Sequence, residues 1–217
     1  MLQGISLEPL AWRDRVHRPR PGPCFALTAR HLRSLKKRWG DAASAFCLEA
    51  LAFGLVSFGF FRLAVFSPKL GLADCAFNSA HTINLLQQAQ SQQCGLALFP
   101  ELGITGYTCA DLFHQTALLE KSNSAILSVI EATKKVFEGL VLIGAPISVD
   151  SQLFNCAIVI HKGKVLGIVP KSYLPTYKEF YERRYFSPAI NLRSTEVLLF
   201  GQSIPMGADL LFAANDF

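Results

Sequence analysis

The pattern of apolar and polar positions changes near residue 57. Before that point Arg and Pro cluster, as in Arg18-Pro19-Arg20-Pro21-Gly22-Pro23; after it, apolar runs alternate regularly with turn signals, so a folded domain is expected over residues 57–217. Residues 60–66 (Phe-Phe-Arg-Leu-Ala-Val-Phe) predict a buried strand. Asn78 is a candidate cap for a helix reaching about Gln92, with Ile83, Leu86 and Ala89 facing inward, and residues 95–99 follow as the next strand. A strand, helix and strand in this order favour parallel pairing.

Further along, Leu118, Leu119, Ile126, Val129, Ile130, Val136 and Phe137 recur at helical spacing, which predicts a helix over residues 115–137. Gly139 breaks it before an apolar strand over residues 140–144. Residues 154–160 and 165–169 flank His161-Lys162-Gly163-Lys164, where Gly163 permits the positive φ of a tight hairpin. Parallel pairing at the start and a hairpin later imply a mixed sheet in an α/β fold.

Composition narrows the class. Hydrophobic residues make up 51% of the 217 and charged residues only 17%, below the roughly 25% of an average domain, so much of the chain should be buried. The net charge of +5 is uneven: the first 39 residues hold nine Lys or Arg against two acids. A basic terminal stretch with few aromatics and no binding motif does not point to nucleic acid, and residues 1–56 read as a basic, unstructured extension. Its Arg-rich, acid-poor start is faintly like a transit peptide. The longest uncharged apolar run, residues 50–61, is twelve residues long, short of the roughly 20 that cross a bilayer. The six cysteines, Cys24, Cys47, Cys75, Cys94, Cys109 and Cys156, form no CxxC pair, which argues against a zinc site or a disulfide framework and for a cytoplasmic setting.

Two charged residues stand where an apolar strand runs out into a loop: Glu101 after Leu96-Ala-Leu-Phe-Pro100, and Lys171 after Leu166-Gly-Ile-Val-Pro170. Rigid backbone at a strand end can aim a head group into a cleft, where a carboxylate serves as general base and a lysine supports a developing oxyanion. A solvated loop start is the commoner fate of such residues, and position alone leaves both readings open.

The wording around them is more specific. Phe99-Pro-Glu-Leu-Gly-Ile-Thr-Gly-Tyr107, with Thr108-Cys-Ala-Asp-Leu-Phe113 after it, resembles the glutamic-acid motif of the nitrilase superfamily in the form found in glutamine-dependent NAD synthetases. Val169-Pro-Lys-Ser-Tyr-Leu-Pro-Thr-Tyr-Lys-Glu-Phe-Tyr-Glu-Arg-Arg184 is similar to the lysine motif of the same family. The resemblance covers roughly residues 58–217 and implies a nitrilase-like α-β-β-α sandwich, incomplete at its C-terminal end. In that family a Glu deprotonates a Cys, the thiolate attacks an amide carbon, ammonia leaves and water releases the acid.

Carried over position by position, the resemblance makes Glu101 the base and Lys171 the oxyanion-supporting cation. Tyr107, Tyr177 and Phe180 would line a glutamine pocket, and Glu182 would support the pair. The family's nucleophilic cysteine belongs further along than Phe217, and residues 207–217 look like its lead-in. None of the six cysteines is therefore expected to be the nucleophile, Cys109 being the one alternative, and the chain alone is expected to be inactive and prone to self-association.

By the same resemblance the partners are glutamine and, elsewhere in a parent homo-oligomer, deamido-NAD with ATP and magnesium. This domain itself needs no cofactor or metal, and Gly54, Gly59, Gly71, Gly103 and Gly106 build no phosphate loop. Two rival readings remain: a free-standing amidase acting on another small amide, and a non-catalytic interaction piece. The tail of residues 177–184 favours the synthetase.

Overall fold

The computed structural model describes residues 61–213, within which Arg62–Leu210 forms one compact unit. The basic extension of residues 1–56 and the expected domain start at residue 57 lie outside the described residues. In chain order the elements are β1 (Leu63–Val65), α1 (Cys75–Ser91), β2 (Leu96–Leu98), α2 (Thr116–Val136), β3 (Leu140–Val149), β4 (Gln152–His161), β5 (Lys164–Pro170), a short α3 (Glu182–Tyr185), β6 (Glu196–Leu199) and β7 (Gln202–Pro205). Short 3-10 turns at Ala110–His114 and Ala189–Asn191 complete them.

Strands β1 to β5 form one sheet in sequence order. The pairs β1–β2 and β2–β3 are parallel, β3–β4 and β4–β5 antiparallel, so the α/β fold has the expected mixed sheet. The β4–β5 turn is also as expected: Lys162 (φ 44°) and Gly163 (φ 79°) both take the left-handed region that a two-residue hairpin needs. Strands β6 and β7 pair with each other, and Met206 then bridges to Ile168 of β5.

Register puts Ala64, Ala97, Val141 and Ile160 in one row across the sheet, with Ile143, Ile158 and Ile168 continuing the same face. The helices α1 and α2 lie side by side and cover it, Leu86, Ile126, Val129 and Ile130 meeting it in a single apolar core. Side chains of alternating strand positions point to the opposite face. There the outcome differs from the expectation of a buried first strand: Leu63 and Val65 of β1 are 53% and 65% exposed. The apolar run gives β1 its strand, but burial depends on the layers against it, and the helices cover only the Ala64 side.

The start of α1 also differs. Its cap is Asp74, which accepts a hydrogen bond from the Phe77 N–H, and not Asn78. Asn78 is one turn inside the helix and fully buried. Its amide donates to the carbonyls of Gly71 (2.8 Å) and Ile104 (3.0 Å) and accepts from the Gly71 N–H (2.8 Å), tying the loop before α1 to the loop after β2.

Candidate active site

Because β4 runs antiparallel to both neighbours, β2, β3 and β5 all point the same way, and the loops leaving β2 and β5 emerge at one edge of the sheet. Glu101 sits in the first loop and Lys171 in the second. Neighbouring strands lie roughly 4.8 Å apart, so two intervening strands hold β2 and β5 on the order of 14 Å from each other. The loops must lean inward for their side chains to meet.

The β2 loop does so by crossing β3. The pairing of Phe99 N–H with the Leu142 carbonyl carries the strand on, and the chain then turns sharply, with Gly103 N–H on the Pro100 carbonyl at 3.1 Å and Gly106 N–H on the Leu102 carbonyl at 2.7 Å. Ile104 N–H reaches the carbonyl of Gly144 in β3 at 3.2 Å. Leu102 takes φ 50°, costly for a leucine, and its complete burial holds it there. On the other side, Lys171 N–H is fixed to the Asn155 carbonyl of β4 at 2.8 Å, and Ala189 N–H to the Lys171 carbonyl at 3.0 Å.

Lys171 Nζ ends between two carboxylates, 2.7 Å from Glu101 Oε1 and 2.8 Å from Glu182 Oε1. The carboxylates differ in surroundings: the Glu101 side chain is 42% exposed and that of Glu182 only 5%. The Tyr107 hydroxyl donates to Glu182 Oε1 at 2.6 Å, while Glu182 Oε2 is buried without a hydrogen-bond partner. Burial disfavours the Lys171 ammonium, but hydrogen bonds and charge from Glu101 and Glu182 outweigh it and raise its pKa above the ordinary lysine value. Burial, the bond to Glu182 and the charges of Glu182 and Glu101 push the Tyr107 phenol well above its usual value. At neutral pH Lys171 is a cation and Tyr107 a neutral donor.

Of the six positions singled out in the sequence, four thus meet in one network: Glu101, Lys171, Glu182 and Tyr107. The Tyr107 hydroxyl is engaged by Glu182. Tyr177 and Phe180 stand apart from it: their rings meet edge to face, with centroids 5.8 Å apart, and Tyr177 is 63% exposed. A fifth member was missed. Asn155 of β4 is buried and its carboxamide donates to Glu101 Oε1, the oxygen that Lys171 also holds. Its signal was a single polar residue inside the apolar run of residues 154–160. The tails of the two segments are joined as well, since Arg184 grips Asp111 through Nε (2.9 Å) and Nη2 (3.2 Å), and Phe113 packs on Phe186 at 4.9 Å.

No described cysteine shares a hydrogen bond with this network. Cys156 follows Asn155 in β4 and so points to the helix-covered face, and the Cys109 thiol donates to the Thr105 carbonyl at 3.1 Å. Burial raises the pKa of Cys109 and Cys156, and it drives Cys75, with a further push from Cys109, up to about 11. A thiol held protonated is a poor nucleophile. Cys94 precedes β2, at the end of that strand away from Glu101.

Residues 62–210 match the carbon-nitrogen hydrolase family. The chain belongs to that family. Among curated relatives of this carbon-nitrogen hydrolase, the glutamine-dependent NAD(+) synthetase of Mycobacterium tuberculosis is 40% identical over 158 residues, which is 73% of this chain and 23% of the relative. A solved glutamine-dependent NAD(+) synthetase from Cytophaga hutchinsonii superposes with a TM-score of 0.61 at 25% identity, over 68% of this chain and 25% of that one. An amidase of the nitrilase superfamily from Nesterenkonia shares the fold, with a TM-score of 0.54 at 19% identity over 68% and 55% of the two chains. This carbon-nitrogen hydrolase therefore spans about a quarter of the length of its synthetase relatives. Among its described residues no helix is long and apolar enough to cross a membrane, and no group of three or more His, Cys, Asp or Glu is placed to hold a metal ion.

Proposed function

We propose that this carbon-nitrogen hydrolase domain hydrolyses the side-chain amide of glutamine and supplies the ammonia for ATP-dependent conversion of deamido-NAD to NAD, as in the synthetases it resembles. The observation that carries this reading is the network at the sheet edge, in which Lys171 is bonded at once to the exposed Glu101 and the buried Glu182. Glu101 takes the proton of a thiol, the thiolate attacks the amide carbon, and Lys171 faces the negative charge that builds on the amide oxygen. The C–N bond breaks as ammonia leaves with the proton, and water cleaves the thioester to give glutamate. The thiol itself comes from outside the described residues, because Cys75, Cys94, Cys109 and Cys156 do not reach the network.

Tyr177 and Phe180 form the aromatic wall that receives glutamine, and Tyr107 steadies Glu182. No step here runs through the ATP and magnesium of the NAD-forming step. The test is ammonia release from glutamine by the wild-type chain, by Glu101→Ala and by Lys171→Ala, with glutamine binding followed by calorimetry. Glutamine binding by the wild type that is weakened in both variants supports the proposal, as does release lost in both, the thiol then being Cys24 or Cys47 and not one from a longer parent. Release that survives both substitutions, or a wild type that neither releases ammonia nor binds glutamine, refutes it.

A further inference from the structure

Glu101 is the more exposed of the two carboxylates, and a long side chain at a loop start does not hold one orientation unaided. Its partner Lys171 gives it a point charge on a flexible stem, which attracts the carboxylate without fixing its plane. The second donor is of another kind. Asn155 belongs to β4, between paired strands on both sides, and is 3% exposed. A carboxylate only accepts, so the atom of Asn155 that faces it is the nitrogen, Nδ2. The Asn155 backbone carbonyl meanwhile accepts the Lys171 N–H at 2.8 Å. One residue therefore holds the acid through its side chain and the base of the lysine loop through its main chain.

Both donors reach the same oxygen, Oε1, and among the described residues none donates to Oε2 of Glu101. We propose that Asn155 is a positioning residue for Glu101, locking Oε1 in place so that Oε2 is the atom presented to the proton it removes. This rests on the glutamine-hydrolysing reading for the identity of the reaction, but the lock itself is a property of the fold. Asn155 adds no charge to a site already holding Lys171, Glu182 and Tyr107; it constrains rotation only. A base released from such a constraint loses the alignment on which proton transfer depends, at a cost of roughly 10- to 100-fold in rate.

Two measurements on the full chain separate the lock from the chemistry. In nitrogen–proton correlation spectra the Asn155 side-chain amide is expected to show one proton shifted far downfield, which returns to the ordinary amide position in Glu101→Ala. In whatever glutamine hydrolysis the chain supports, Asn155→Ala is expected to lower kcat about 10- to 100-fold with KM within about twofold. Asn155→Asp, of the same shape but without the donor, is expected to lower it at least as far. An Asn155 amide that does not respond to Glu101→Ala overturns the proposal, as does a folded Asn155→Ala or Asn155→Asp that keeps wild-type kcat. If the amide responds as expected while the wild type hydrolyses no glutamine, the lock stands and the glutamine reading fails.

Discussion

A Cβ built on Gly144 would lie 2.8 Å from the Cα of Glu101. The same atom would come within 2.5 Å of both the Leu102 nitrogen and the Pro100 carbonyl oxygen, all of them backbone with no side chain to swing aside. Glycine in the middle of β3 is therefore what allows the Glu101 turn to cross the strand and lean toward Lys171. Gly144→Ala is expected to destabilise the fold by about 1–3 kcal/mol, the usual cost of forcing extra volume into a packed site. Ammonia release should fall by more than the lost folded fraction explains. Urea denaturation alongside the ammonia assay checks both, and a variant with unchanged midpoint and rate would show that the turn tolerates displacement.

Lys171 matters to stability as well as to the proposed chemistry, because it neutralises a carboxylate, Glu182, that pairs with no other cation among the described residues. Lys171→Met leaves Glu182 buried beside Tyr107 alone and is expected to cost about 2–4 kcal/mol, in the range of removing one partner of a largely buried pair. Adding Glu182→Gln removes the stranded charge and should recover part of the loss. A double variant no more stable than Lys171→Met, measured by urea midpoint, would mean that the ion pair is not what the fold relies on.

The alkaline limb of stability carries the mark of the same network. Both Tyr107 and Lys171 hold their protons to higher pH in the folded chain than in the unfolded one. Their contributions are complete below about pH 10, where both unfolded groups begin to titrate, and shrink as pH rises further, since the unfolded state then binds fewer protons than the folded state. Unfolding free energy should therefore decline between about pH 10 and 11. Tyr107→Phe should make that decline shallower while lowering stability at pH 8 through the lost bond to Glu182. Equal slopes in the two proteins would exclude Tyr107 from the linkage.

Thiol chemistry gives a separate check on the described cysteines. Cys94 is half-buried, whereas Cys75, Cys109 and Cys156 are buried and hold their protons at neutral pH. Iodoacetamide at pH 8 should label Cys94 well before those three, read by peptide mass spectrometry of the folded chain. Early labelling of Cys109 would return it as a candidate nucleophile.

What the sequence disclosed and what it withheld follow from the range of the interactions. The Gly163 hairpin and the helix over Thr116–Val136 depend on neighbours within a few residues, so local pattern was enough. Glu101 and Lys171 were legible because each ends an apolar strand within a distinctive segment. Asn155 and Gly144 gain their meaning only when distant chain arrives: Asn155 bonds a residue 54 positions away, and Gly144 is constrained by a loop from the preceding strand. Asp74 and Asn78 are equally good caps by local chemistry, and only the long-range bonds of Asn78 to Gly71 and Ile104 decide between them. The exposure of β1 was hidden for a related reason, because an apolar run specifies a strand but not which layers will cover it.

The double grip on Lys171 bears on timing. In the proposed reaction a cation held only by Glu101 would be set loose each time that carboxylate became neutral, and the site would need resetting between the steps of a turnover. Glu182, out of solvent and anchored by Tyr107, keeps its hold whatever the state of Glu101. Under the proposed function the positive charge thus behaves as a stationary electrode: Glu101 would gain and lose a proton on every cycle, while the field that its chemistry works against stays where the fold put it.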